Sequence, residues 1–220
     1  MSEKLHEFRT DAITVTWSGR RCIHAAVCVA GLPRVFRPGE RPWIHAGESG
    51  ADAVAGVVAR CPTGALHFER HDGGAPEPVP DRNTVLVSRN GPTYLRGNLE
   101  VRTTEGEVLL RETRLALCRC GASRQKPFCD NSHREAGFRD PGELRDAEAV
   151  QDPGGAPAAG VLVVTLHEDG PVELTGPFAI ASSDGGTIRE GTSTWLCRCG
   201  QSQDKPFCDS SHERVGFKSG

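Results

Sequence analysis

Cys118-x-Cys120-x8-Cys129-x3-His133 places three thiolates and one imidazole within sixteen residues, and the same pattern returns as Cys197, Cys199, Cys208 and His212. Such donors bind borderline and soft metals, and four of them fill a tetrahedral shell, so each stretch is a complete ligand set for a metal centre. Six of the chain's nine cysteines are used in this way. The other three, Cys22, Cys28 and Cys61, form a set of their own, and Pro62 follows the last. No cysteine is left over for a disulfide.

The elements that must hold these donors come in duplicate. A constant offset of 79 residues relates Gly91-Pro92 to Gly170-Pro171 and, without a gap, Gly137-Phe138 to Gly216-Phe217. Such self-similarity predicts a repeated structural module. In the first copy, alternation and turn residues predict strands over 84–87, 94–101 and 107–111, with Thr103-Thr104-Glu105-Gly106 turning between the last two. The second copy repeats them at 161–166, 172–180 and 187–189, around Ser183-Asp184-Gly185-Gly186. Within each motif, Lys126-Pro127-Phe128 or Lys205-Pro206-Phe207 would carry the chain back over the centre. Asp130 and Asp209 stand where an aspartate caps a short helix bearing the histidine.

Upstream, residues 12–17 alternate as a strand leading into Cys22, and residues 49–60 space Val54, Val57 and Val58 as a helix that Cys61-Pro62 stops. Residues 71–80 read as a linker, and Pro141 to Gly160, rich in Gly, Pro, Ala and charge, as a flexible tether. The division is therefore 9–70, 82–140 and 158–219. Units of that size bury little apolar surface, and aromatics are only 5% of the chain, so a metal staple in each is physically sensible.

Donor types and spacing alone leave structural zinc and an iron–sulfur centre both open for the repeats. The residues around the ligands decide between them. Ser123, Pro127, Cys129, Asp130, Ser132 and His133, like Ser202, Pro206, Cys208, Asp209, Ser211 and His212, match the pattern Cys-x-Cys-x2-(Ser/Thr)-x3-Pro-x-Cys-Asp-Gly-(Ser/Thr)-His, so the chain resembles the CDGSH iron–sulfur family over about half its length. Asn131 and Ser210 replace the glycine of that pattern, and asparagine tolerates a left-handed backbone better than serine does. The resemblance implies a [2Fe-2S] cluster in each copy, with Cys118 and Cys120, or Cys197 and Cys199, on one iron. Cys129 and His133, or Cys208 and His212, would hold the outer iron. It also implies that the two copies fold together as a pseudo-twofold monomer.

The N-terminal set, Cys22-x5-Cys28 with a remote Cys61-Pro62, resembles a ferredoxin run, and residues 13–68 resemble the divergent single-cluster 4Fe-4S ferredoxin-like family. The position of the central ligand is filled by Ala25, whose methyl cannot coordinate. Three thiolates then imply a [3Fe-4S] cluster, or a [4Fe-4S] cluster whose fourth iron takes water or a side chain such as the adjacent His24.

The expected architecture is α+β: a small ferredoxin-like domain followed by two β-rich CDGSH repeats. Other chemistries lack a signature. There is no local Ser-His-Asp arrangement and no Walker or dinucleotide glycine pattern, and no base is identified for Cys28 or Cys61 as a nucleophile. His6, His45, His67, His71 and His167 read as surface or structural. A net charge of −3 excludes an electrostatic footprint for nucleic acid, and no apolar run of about 20 residues suggests a membrane span. The charged N-terminus is unlike a signal peptide, so thiolates in a reducing cytoplasm are expected. The functional expectation is an electron carrier, not an enzyme, whose partner is a redox protein. Two alternatives are cluster transfer to an apo-acceptor, coupled to redox or pH sensing through the ligand histidines, and a zinc-stapled interaction module.

Overall fold

The structure, a computed structural model, describes residues 3–145, 149–151 and 159–219. It is strand-rich, with four short α-helices among those residues, and it divides into two compact units, Met1–Pro78 and Val79–Gly220.

In the first unit, β1 (Leu5–Arg9), β2 (Ile13–Ser18) and β3 (Leu66–Arg70) form an antiparallel sheet with β2 in the middle. Ile13 and Val15 of β2 turn inward and are essentially inaccessible, as alternation requires. They meet Val54, Val57 and Val58 of α2 (Ala51–Val58), together with Val35, Phe36 and Ile44 from the intervening loop. The short helix α1 (Val27–Gly31) lies between β2 and that loop. Alternation in residues 12–17 and helical spacing in 49–60 identified β2 and α2. The strands β1 and β3 carry charged residues, Glu7 and Arg9 or Glu69 and Arg70, and were not anticipated.

In the second unit, the repeats share one sheet of β4 (Thr84–Val87), β5 (Thr93–Thr103), β6 (Val108–Leu117), β7 (Leu162–Leu166), β8 (Val172–Ala181) and β9 (Ile188–Leu196). Each repeat contributes an antiparallel meander, β4-β5-β6 or β7-β8-β9. The long middle strand changes partner halfway along its length. The first half of β5 pairs with β4, while its second half pairs in parallel with β7 of the other repeat. Reciprocally, the first half of β8 pairs with β7 and the second half with β4. The registers correspond: Leu99 faces Leu162, and one step beyond their counterparts, Phe178 and Asn83, Ala179 faces Thr84. Both middle strands shift register at the same place, between Arg96 and Leu99 and between Thr175 and Phe178.

The core of this unit draws on both repeats, through Leu95, Leu99 and Val101 with Leu162, Leu174, Phe178 and Ile180. The third strand of each meander is longer than turn signals suggested, because β6 and β9 run on to Leu117 and Leu196, directly before Cys118 and Cys197. The described part of the expected tether is docked rather than free. Leu144 and Val150 are buried in the core, Gln151 bridges Ser193, and Thr194 Oγ1 donates to the Ala149 carbonyl at 2.7 Å. Composition had hidden two apolar anchors among Gly, Pro and charge. Residues 146–148 and 152–158 of that stretch lie outside the described residues.

Candidate metal centres

Each repeat builds its donor set from the end of one strand and one short return segment. After Leu117 the chain leaves β6 with Cys118, loops through Cys120, and comes back at Phe128, which bridges Leu117. Two backbone bonds close this return, Cys118 N–H to the Pro127 carbonyl at 2.8 Å and Cys129 N–H to the Ala116 carbonyl at 2.9 Å. Ser123 Oγ pins the loop by donating to the Phe128 carbonyl at 2.7 Å while accepting the Gln125 N–H at 3.0 Å. In the second repeat Cys197, Cys208, Ser202 and Phe207 do the same, at 2.8, 2.9 and 2.7 Å for the corresponding contacts.

The histidines are aimed by α3 (Ser132–Glu135) and α4 (Ser211–Arg214). The residue before each helix is left-handed, Asn131 at φ 71° and Ser210 at φ 63°, so both adopt the backbone for which the family pattern has glycine. Asp130 and Asp209 lie one residue before the N-cap position, and each uses both carboxylate oxygens. Asp130 accepts from Ser132 N–H at 3.0 Å and Arg124 N–H at 2.9 Å, and Asp209 from Ser211 and Gln203 N–H, both at 2.9 Å. Burial works to raise both carboxyls, but these hydrogen bonds outweigh it and hold them below the usual range.

The donors meet as pairs. Cys118 and Cys120 Sγ are 3.7 Å apart, and so are Cys197 and Cys199 Sγ. Cys129 Sγ stands 3.5 Å from His133 Nδ1, and Cys208 Sγ 3.5 Å from His212 Nδ1. Two thiolates on one tetrahedral ion, with bonds of about 2.3 Å, lie about 3.8 Å apart; a thiolate and an imidazole nitrogen lie about 3.5 Å apart. Each pair is therefore spaced to hold one metal. Among the described residues no three such side chains gather around a single point.

Electrostatics suit a cation here. Burial pushes the Cys129 thiol up to about 11 and raises Cys197 and Cys208, while the contact between Cys118 and Cys120 lowers the first thiol and raises the second. A bound metal supplies the positive charge that buried thiolates otherwise lack. Burial also lowers His133, and the charges of Arg134 and Arg119 add to the fall. Backbone N–H groups of Ala122, Asn131 and Gln201 point at Cys120, Cys129 and Cys199 Sγ, each at 3.4 Å.

Sequence reading overlooked the residues between the paired cysteines. Arg119 and Arg198 are 2% and 4% exposed, and each donates to backbone carbonyls of its own repeat: Arg119 to Gly91 at 3.1 Å and Ser88 at 2.6 Å, Arg198 to Gly170 at 2.9 Å and to His167. The glycines after Cys120 and Cys199 were overlooked too. Gly121 and Gly200 are left-handed, at φ 78° and 80°; a Cβ on Gly121 would stand 2.4 Å from the Cys199 carbonyl oxygen, and one on Gly200 2.6 Å from that of Cys120. The two ligand loops thus touch backbone to backbone, which only glycine permits.

In the N-terminal unit Cys22 follows β2, Cys28 lies on α1, and Cys61 comes three residues after the end of α2. All three border one cavity of about 840 Å³ and pack on the same core. Cys61 Sγ is 3.7 Å from Thr63 Oγ1. Burial raises the Cys28 thiol, and the nearby Cys61 and Cys22 add to the rise. Ala25 and His24 are exposed and also border the cavity, with His24 left-handed at φ 54°. The other histidines are engaged elsewhere: His45 with Glu40 at 2.9 Å, His67 with Glu77 at 3.0 Å, His71 with Thr14 at 2.7 Å, His167 with Glu173 at 3.1 Å, and His6 against the Trp17 ring.

The family model described as a divergent 4Fe-4S mono-cluster matches residues 8–71, and that of the iron-binding zinc finger CDGSH type matches 90–134 and again 169–213. Two curated relatives, the uncharacterized protein YjdI of Escherichia coli strain K12 and that of Escherichia coli O157:H7, are each 34% identical over 61 residues, covering 28% of this chain and 79% of the relative. No solved structure matches the chain significantly. No helix among the described residues is long and apolar enough to cross a membrane.

Proposed function

This chain belongs to the CDGSH iron-binding family and, through its N-terminal unit, to the divergent 4Fe-4S mono-cluster family, and from that membership we propose that it is a three-cluster electron carrier. Each repeat would hold one [2Fe-2S] cluster, with Cys118 and Cys120, or Cys197 and Cys199, on the inner iron. Cys129 and His133, or Cys208 and His212, would take the outer one. Cys22, Cys28 and Cys61 would hold a [3Fe-4S] cluster, or a [4Fe-4S] cluster whose fourth iron takes water or a side chain such as His24. Such groups supply one-electron chemistry tuned by ligand type, hydrogen bonding and exposure.

The observation that carries this reading is the pairing of donors. The 3.7 Å and 3.5 Å spacings, repeated in both copies, favour a binuclear centre with two protein donors per metal over a single tetrahedral zinc. The residues do the positioning: Ser123 and Ser202 fix the loops, Asp130 and Asp209 orient the histidine helices, and N–H groups stabilise the thiolates. A carrier protein fits a chain whose conspicuous chemistry is redox ligation, and its partner would be another redox protein. The matching registers of the exchanged strands support a pseudo-twofold monomer.

The partial exposure of His133, His212 and Cys208 favours a second reading, cluster delivery, because protons or an acceptor can reach the outer ligands. Anaerobic purification with iron and sulfide counting tests the main proposal. About seven or eight irons per chain with matching sulfide is the expected result. Stoichiometric zinc with negligible sulfide would overturn it, and loading of an apo-ferredoxin would favour delivery.

A further inference from the structure

Duplication allows the two repeat centres to be compared position by position. The return segment of each motif lies against the third strand of its meander, so a row of side chains crosses three strands. In the first repeat Tyr94 pairs with Ala116, whose carbonyl accepts the Cys129 N–H at 2.9 Å, and the bridge between Leu117 and Phe128 fixes that register. In the second the row is Glu173, Trp195 and Cys208, with the corresponding bond at 2.9 Å and a bridge between Leu196 and Phe207. Side chains in one row share a face of the sheet, on strands about 4.8 Å apart. The ligands are alike, and their neighbours are not.

Ala116 is small, so the Tyr94 ring can extend across it toward the ligand. Tyr94 is half-buried and within electrostatic reach of Cys129 and Arg134, and Cys129 is only 4% exposed. In the second row the large residue is the middle one. The Trp195 ring packs on that of His167, with centroids 4.6 Å apart, and His167 Nε2 stands 3.1 Å from a Glu173 carboxylate oxygen. Glu173 lies on the far side of Trp195 from Cys208, so this clasp draws the indole away from the ligand. Trp195 is accordingly 41% exposed, and Cys208 is half-buried where Cys129 is buried. The inner donors run the other way, with Cys120 half-buried and Cys199 buried. Those two, however, belong to the loops locked together at Gly121 and Gly200, so the outer side is where a donor is free to leave.

We propose that the tandem centres divide between keeping and handing over a cluster: the second, whose outer thiolate Cys208 is left open by the clasp of Trp195, His167 and Glu173, exchanges ligands with a thiol or chelating acceptor, while the first, with Cys129 beside Tyr94, retains them. This rests on the reading that each repeat holds a cluster, and it assigns delivery to one of the two. The step is ligand exchange without change of oxidation state. Donors of the acceptor form bonds to the outer iron as those from Cys208 and His212 break, and solvent protonates the freed thiolate and imidazole.

The test adds EDTA to the intact, anaerobically purified chain well below its unfolding temperature. Samples withdrawn at intervals are reduced with dithionite, and their EPR separates the [2Fe-2S] signals from that of the N-terminal unit. Loss should occur in two phases of equal amplitude, the faster severalfold ahead of the slower. His212→Cys should slow the fast phase alone and His133→Cys the slow phase alone, which assigns them. Tyr94→Ala should quicken the slow phase. Glu173→Tyr combined with Trp195→Ala gives the second repeat the row of the first and should slow the fast phase; neither position is buried, so this variant decides the matter if Tyr94→Ala fails to fold. A single phase in the wild type, a fast phase belonging to the first centre, or a fast phase indifferent to the exchange at 173 and 195 would overturn the division while leaving the cluster reading intact. Protein without iron and sulfide would overturn both.

Discussion

Asp130 and Asp209 each use two oxygens on two backbone N–H groups, so an amide in their place satisfies only one. Asp130→Asn or Asp209→Asn should therefore cost about 1 kcal/mol, the net worth of a hydrogen bond, and loosen the neighbouring histidine. Thermal unfolding followed by visible absorbance checks this, since bleaching should precede loss of β-structure in the variant and coincide with it in the wild type. Gly121→Ala should be harsher, at roughly 1–3 kcal/mol for the left-handed backbone alone, because the new Cβ also meets the Cys199 carbonyl. If Gly121→Ala melts with the wild type, the loop contact is not as close as described. The paired donors were readable in the sequence because metal chemistry demands those side-chain types at those spacings. Arg119, Arg198 and the two glycines were not, since their roles come from partners 21 or more residues away, and nothing in an isolated arginine or glycine announces a buried carbonyl or a facing loop.

Strand exchange makes the β5–β7 seam common to both centres. Leu162 is fully buried there opposite Leu99, and Leu162→Ala should cost about 2–5 kcal/mol, as large-to-small core changes do. Because both repeats draw on one core, both centres should bleach at the same lowered temperature; separate bleaching would show that the repeats are independent. The turn between β7 and β8 is tied to the C-terminal segment through Asp169. A hydrogen bond from Lys218, helped by the Ser219 N–H, holds its carboxyl down at about 2. The sign follows from that direction. The contribution is complete above the ordinary carboxylate pKa near 3.9 and is lost as pH falls through about 2. The melting temperature of Asp169→Asn should thus fall less steeply over that window than the wild type's; parallel slopes would remove Asp169 from the account. Alternation located most strands but undershot β6 and β9, where Glu112-Thr113-Arg114 and Glu190-Gly191-Thr192 interrupt the apolar pattern. Their partner β5 or β8, not their own side chains, keeps those stretches extended.

At the scale of the molecule, the N-terminal unit has its own sheet, core and cysteine set. Cys61→Ser should therefore abolish the signal of that unit's cluster while leaving the absorbance and melting of the repeats within measurement error; a shift in the repeats' transition would show that the units are energetically coupled. Pro78, where the first compact unit ends, lies in a Pro- and Gly-rich stretch, and the duplication is a fixed offset in the sequence. What the offset could not reveal is that β4 and β7 each receive a strand from the opposite repeat, because equal spacing is compatible with two separate modules as well as with one shared sheet. That exchange bears on how such a fold assembles. A chain with a single motif of this kind would have to find a second copy by diffusion, and its completeness would depend on how many copies the cell contains. Here one polypeptide carries both, so the search becomes intramolecular, at an effective concentration of order millimolar for a short connection, and pairing no longer depends on expression level.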